Sequence, residues 1–156
     1  MNRGFGRIGI GARFDAPEAP TADLLEARRA AASFARVLGM LRDDALFAES
    51  NRTGVSRALI VAELAYDARR LACDIAELRG IRDVDSVPTP DAAALGSTLP
   101  PRALRYRYAH TTIHLDVEWR DLSGSMWDAR LQDGMEVRAI PSNRALALRS
   151  AMSALV

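Results

Sequence analysis

The chain has 156 residues, 49% of them hydrophobic, and its 21 basic residues, all arginine, nearly balance 20 acidic ones. This length fits one domain with its own core, and the even mixture of charges favours neither nucleic acid nor an anionic membrane as a partner. Because the chain has a single cysteine, no apolar signal segment and no stretch of roughly 18 apolar residues, we expect a cytoplasmic protein that does not span a membrane.

Residues 1–20 are expected to form an irregular leader, because they contain four glycines and two prolines and lack helical periodicity. Gly4, Gly6 and Gly9 match the GxGxxG spacing of dinucleotide-binding proteins. That fingerprint requires a preceding strand and a helix that begins within it, and neither is indicated here. We therefore predict no nucleotide site in this segment.

Two helices are predicted in the first half of the remaining chain, residues 21–156, which we treat as a single domain. The first spans about residues 21–42, with Thr21 as its N-cap. The second begins after Ser56, which can cap it, and ends near Gly80.

Two further helices are predicted in the second half. One spans about residues 101–122, with Pro101 in its first turn, and the last follows Pro141 with Ser142 as its N-cap. A long loop with a short helix at about residues 91–95 precedes them, and a small β-hairpin is predicted around residues 133–134. Four main helices predict an all-α fold, a helical bundle.

The only two histidines lie in HTTIHLDVEW, residues 110–119, on the third main helix. His110 and His114 are four residues apart and share a helix face, so they could bind one metal ion. Zinc normally takes at least three protein ligands, and Glu63 on the second helix is the best candidate for the third. Cys73 is less favoured, since its apolar neighbours indicate a core position.

A second interpretation of the histidines is a structural network, in which they bond to neighbouring acids such as Glu118. The polar stripe that contains them is flanked by two apolar rows on the same helix. If both rows are buried, one polar row must line an interior network or a cleft. Spacing alone favours the network over a metal site. The stripe comprises Arg107, His110, His114, Glu118 and Asp121. One apolar row comprises Leu104, Tyr108, Leu115, Trp119 and Leu122, and the other comprises Tyr106, Ile113 and Val117.

Several short motifs occur together in a recognisable order: GVSR at 54–57, VAEL at 61–64, LPPRAL at 99–104 and HTTIH at 110–114. In order and spacing they resemble the N-terminal domain of mycothiol-dependent maleylpyruvate isomerases, which belongs to the wider group of DinB-like four-helix bundles. The resemblance covers about residues 21–125. It implies a DinB-like bundle that lacks the family's C-terminal domain.

The resemblance also implies a metal site. The family holds a metal, usually zinc, with a histidine in a VAHL-like stretch and an ExxxH pair on a later helix. Glu63, His110 and His114 stand at these positions, so two imidazoles and one carboxylate are kept. Such a set suits catalytic zinc as well as iron. With the resemblance included, the metal site becomes the favoured interpretation.

The chemistry implied by the resemblance is thiol-dependent. The metal would bind a low-molecular-weight thiol such as mycothiol, and the thiolate would add to a small electrophilic substrate in an isomerase or thiol transferase. Asp67 and Glu118 would orient the ligands, and Arg107 would meet a substrate carboxylate.

Two alternatives to this enzyme remain open at this point. One is a non-catalytic bundle with a structural metal or polar network that serves as a binding or partner subunit, and the other is acid and base catalysis by the histidines without a metal. Absence of the second domain would expose apolar surface, so a homo-oligomer or a protein partner is also expected.

Overall fold

The computed structural model describes residues 15–82 and 87–156, and its regular structure there is helical. Helices α1 (Thr21–Met40), α3 (Arg57–Leu78), α5 (Pro101–Asp121) and α6 (Ile140–Leu155) form a bundle, with short helices α2 (Asp43–Leu46) and α4 (Ala92–Gly96) beside it. The predicted all-α bundle is confirmed. Most of the leader, including the GxGxxG match, lies outside the described residues.

The bundle consists of two tightly packed pairs of helices. Helix α3 packs mainly against α5, and α1 packs mainly against α6. Burial of apolar side chains between them supplies the main driving force for folding. The largest fully buried side chains include Leu24, Phe34, Ile60, Ile75, Leu104, Leu115, Trp127 and Leu148. None of the described helices is long and apolar enough to cross a membrane.

Only one of the two apolar rows predicted on α5 is buried. Its members, Leu104, Tyr108, Leu115, Trp119 and Leu122, are at most 4% exposed. In the other row, Tyr106, Ile113 and Val117 are 70%, 64% and 41% exposed. The condition that would have forced a polar row of α5 into the interior is therefore not met.

Helix starts agree with the sequence in part. The Ser56 hydroxyl accepts a hydrogen bond from the Leu59 N–H at 3.1 Å, so the predicted cap of α3 is confirmed. The predictions for Thr21 and Ser142 are wrong. Thr21 is the first residue of α1 and Ser142 the third residue of α6, and neither side chain caps its helix. A proline just before or within the first turn is compatible with these starts.

The predicted hairpin is reduced to a tight turn. Gly134 adopts a positive φ of 87°, which favours glycine, and one isolated bridge joins Arg130 and Glu136. No strand is formed in the described part of this segment. Short 3-10 helices at Gly124–Asp128 and Val137–Ala139 bound the segment, and the side chains of Leu131 and Val137 are buried.

A partly buried ion-pair cluster joins the start of the described chain to α1 and α5. The Arg28 guanidinium donates two hydrogen bonds to Asp15, both at 2.7 Å, and one to Asp116 at 2.6 Å. The hydrogen bond from Arg28 lowers the pKa of Asp15. Such two-pronged arginine–carboxylate pairs are among the stronger polar contacts in proteins.

Replacing Asp15 by asparagine is expected to lower the free energy of unfolding by about 1–2 kcal/mol at neutral pH. The lowered folded pKa means that this stabilisation is present above the ordinary value of 3.8 and is lost as the pH falls through the folded value. Urea denaturation should therefore separate the two proteins at neutral pH and not in strong acid. Asp23→Asn, at an exposed position of α1, is the control. An equal loss in both variants would contradict the expectation.

Candidate functional site

The polar stripe of α5 divides into two halves with different surroundings. Towards the start of the helix, Arg107 and His110 are exposed and line a cavity. Towards its end, His114 is half-buried and Glu118 is buried, and both face arginines of the α3 segment. One sequence pattern thus gives a cavity wall and an ion-pair network.

The network connects α3 and α5 through two arginines. Arg79, at the C-terminal end of α3, donates a hydrogen bond to Glu118 Oε2 at 2.6 Å. Glu118 Oε1 lies 3.5 Å from His114 Nε2, and Arg69 Nη1 lies 3.3 Å from His114 Nδ1. Arg79 also approaches Asp121 at 3.6 Å. The predicted network between His114 and Glu118 is therefore present, whereas His110 takes no part in it.

The surroundings of His114 favour its neutral form. Burial lowers its pKa below the usual 6.5, and the neighbouring Arg69 cation lowers it further, against an opposing effect of Glu118. A neutral imidazole has one N–H and one lone pair. Because a guanidinium can only donate, this geometry assigns the imidazole proton to Nε2, the nitrogen nearer to Glu118.

The cavity lies between α3, α4 and α5 and has a volume of about 900 Å³. A close approach of α4 to α3 closes one side of it, because a Cβ atom at Gly96 would lie 3.4 Å from that of Ala62. No acidic side chain occurs among its described lining residues. Its polar and aromatic lining consists of Tyr66, Arg69, Thr89, Arg102, Tyr106, Arg107, His110 and Thr111.

The rings of Tyr106 and His110 stack at the cavity wall, with centroids 5.8 Å apart and planes at 16°. They are one helical turn apart on α5, which brings such side chains together. Stacking favours one orientation of the exposed His110 ring. The cavity thus combines three guanidinium groups, an oriented imidazole and apolar surface.

Glu63, His110 and His114, the metal ligands implied by the sequence motifs, are not gathered at one point. Across residues 15–82 and 87–156, no group of three or more His, Cys, Asp or Glu side chains could hold a metal ion. Ala62 and Tyr66 line the cavity shared with α5, and Glu63, rotated by about 100° from Ala62, is exposed. Metal binding by this set stays a prediction that the arrangement does not favour.

The other predicted site residues are also placed by the structure. Arg107 lies on the cavity wall, as expected of a group that meets a substrate. Asp67 accepts a hydrogen bond from Arg70 at 3.0 Å and lies 3.6 Å from the buried Arg144. Glu118 binds Arg79, and Cys73 is partly buried.

Sequence reasoning missed Arg69, Arg102 and Tyr66 as cavity residues. Arg102 lies within the LPPRAL motif, so its position close to α4 offered a signal. Tyr66 and Arg69 follow Ala62 at spacings of four and seven residues, which places all three on one face of α3. Spacing alone would have identified this face of α3 as a cavity wall if the packing of α5 against α3 had been known.

The comparisons with known proteins support the fold. No protein-family model matches the chain, and no curated protein matches it. Two solved structures do: the mycothiol-dependent maleylpyruvate isomerase and a histidine-to-alanine variant of it, each 24% identical with a TM-score of 0.76. Each match covers 86% of this chain and 60% of the other, so the chain spans less than two thirds of those proteins. The chain is therefore similar in fold to the helical bundle of the maleylpyruvate isomerase.

Proposed function

We propose that the chain binds a small organic anion, a carboxylate with an apolar part, in the cavity between α3, α4 and α5. The observation that carries this proposal is the charge of the wall: Arg69, Arg102 and Arg107 line the cavity, and no described lining residue is acidic. A guanidinium group matches a carboxylate with two parallel N–H donors.

The size and composition of the cavity suit such a ligand. A volume of about 900 Å³ is within the range of small-molecule sites, which combine apolar walls with a few convergent polar groups. Leu99 and Ala103 offer apolar contact beside the arginines. Among the described residues, Arg102 and Arg107 form no ion pair with an acidic side chain, so a bound anion would meet two charges that water otherwise solvates.

We further propose that the bound anion is the substrate of a thiol-dependent isomerase or transferase. The similar solved structure is a mycothiol-dependent maleylpyruvate isomerase, and this supports the choice of reaction. A cationic wall stabilises a thiolate over the thiol. The thiolate sulfur would bond to a carbon of a C=C bond conjugated to a carbonyl, and the displaced electron pair would move to the carbonyl oxygen. Rotation about the resulting single bond and expulsion of the thiolate would give the isomer.

The binding proposal is tested by calorimetry with maleate and with its neutral dimethyl ester. We expect maleate to bind and the ester not to, and we expect binding to weaken as salt is raised, because the charges involved are partly exposed. Equal binding of the ester, or no binding of maleate at low salt, would refute an anion site.

The reaction is tested with maleylpyruvate in the presence and absence of mycothiol. We expect turnover only with the thiol, and turnover without it would contradict thiol dependence.

The alternative of a non-catalytic binding domain is favoured by one observation: His114 and Glu118 are engaged in the network with Arg69 and Arg79. That alternative would be supported if the protein binds maleate and does not turn over maleylpyruvate, either with mycothiol or without it.

A further inference from the structure

We infer that the guanidinium of Arg69 takes the place of a metal cation beside His114, so that the site works on fixed arginine charge and without a metal. The inference rests on the proposed anion binding for its functional part. Its structural part rests on the surroundings of His114, Glu118 and Glu63.

The first step concerns the lone pair of His114. A metal is bound by the unprotonated nitrogen of a neutral imidazole. Nδ1 of His114 lies 3.3 Å from Nη1 of Arg69, and Nε2 lies 3.5 Å from Glu118 Oε1. Because a guanidinium has donors and no acceptor, the lone pair of His114 must point at Arg69. The atom that would bind a metal is already engaged.

The second step concerns the carboxylates. Glu118, the acid nearest to His114, is bound by Arg79 at 2.6 Å and has a side chain only 9% exposed. Glu63 is exposed and lies on another face of α3 from the cavity. The nearest carboxylate is therefore neutralised by an arginine, and the other one does not face the histidines.

The third step concerns charge. Arg69 Nη1 lies 3.3 Å from His114 Nδ1, so a divalent cation bound to His114 would lie close to the positive charge of Arg69. Repulsion between two cations is unfavourable in a partly buried site. Arg69 itself lines the cavity. A cation is thus already present beside His114, on the wall of the cavity where an anion would bind.

The test uses ring-nitrogen NMR of the full chain, which is well resolved because the chain has only two histidines. We expect His114 to carry its proton on Nε2 and the nitrogen signals of both histidines to stay unchanged when about one equivalent of zinc is added. Zinc-dependent shifts of His110 and His114 together, with zinc retained after dialysis, would overturn the inference.

Maleate binding in the presence of a chelator supplies the second arm. We expect wild-type affinity to be unaffected by EDTA, and Arg69→Met to weaken it by about tenfold or more, with Arg69→Lys in between. Arg36→Met, at an exposed position of α1, should leave it unchanged. Circular dichroism checks that each variant folds, and the intermediate affinity of the lysine variant distinguishes loss of charge from loss of structure.

The outcomes separate the inference from the function on which it depends. If maleate binds only when zinc is present, the arginines alone do not bind the anion, and the inference that Arg69 replaces a metal is refuted. If maleate does not bind at all, the proposed function fails, and the zinc titration of the histidine signals still decides whether Arg69 has displaced a metal. Unchanged maleate affinity in Arg69→Met would also refute the inference.

Discussion

Replacing both Arg102 and Arg107 by methionine is expected to reduce maleate affinity by about 100-fold or more. Each hydrogen bond to a charged group contributes about 1.5–3 kcal/mol, and each 1.4 kcal/mol corresponds to about a tenfold change in affinity. Methionine keeps much of the length of the side chain and removes the charge. The measurement is calorimetric titration with maleate at low salt, where screening is weakest.

The single variants make this expectation sharper. Arg102 and Arg107 approach the cavity from the first two turns of α5, so each should lose about tenfold on its own if both contact the anion. Arg36→Met is the matched control, since it removes an exposed arginine of α1 that bonds only Ser33 among the described residues. If the double variant binds maleate as the wild type does, the anion does not use this wall of the cavity.

The bundle could be predicted from sequence because its signals are local. Apolar periodicity, the Ser56 cap and Pro101 in a first turn fix where α3 and α5 begin, and the structure agrees. Glycine at position 80, with a positive φ of 77°, ends α3 where the sequence indicated. Each of these features depends on a few neighbouring residues.

Which apolar row of α5 is buried could not be predicted in the same way. Tyr106, Ile113 and Val117 have the periodicity of a core face and are nevertheless exposed. Burial of a row depends on which helices pack against it, and α5 packs mainly on α3 along the Leu104 and Leu115 side. Periodicity describes the face of a helix and contains no information about its neighbours.

The candidate site shows the same limit. Glu63 was predicted as a ligand from its position in a motif. The residues of α3 that line the cavity are instead Ala62, Tyr66 and Arg69. One residue of difference on a helix is a rotation of about 100°, enough to turn a ligand away from the site. Arg69 also lies 45 residues before its partner His114, a separation at which a single sequence gives no signal of contact.

Replacing Glu118 by alanine is expected to give the largest loss of stability among the polar variants considered for this protein. Arg79 would keep its charge with its side chain only 20% exposed, and its Nε already lacks a partner among the described residues. Breaking a buried pair by removing one member costs about 3–5 kcal/mol, and the partial exposure of Arg79 places the expected loss near the lower end.

Two further variants locate the cause of that loss. Asp121→Ala removes the weaker partner of Arg79, at 3.6 Å and with a side chain 33% exposed, and should cost less than about 1 kcal/mol. Adding Arg79→Met to Glu118→Ala removes the charge that has lost its closer partner and should restore part of the stability. Urea denaturation of the wild type, Glu118→Ala, Arg79→Met and the double variant measures this as a double-mutant cycle.

A small loss in Glu118→Ala, comparable to that in Asp121→Ala, would show that the Arg79 pair contributes little and that Glu118 is available to other cations. A large loss that Arg79→Met partly recovers would show instead that the carboxylate is committed to joining α3 to α5. Because α3 also carries Arg69 to the cavity wall, maleate affinity should then fall with stability in Glu118→Ala and recover in the double variant. The network beside His114 would in that case hold the cationic wall in position.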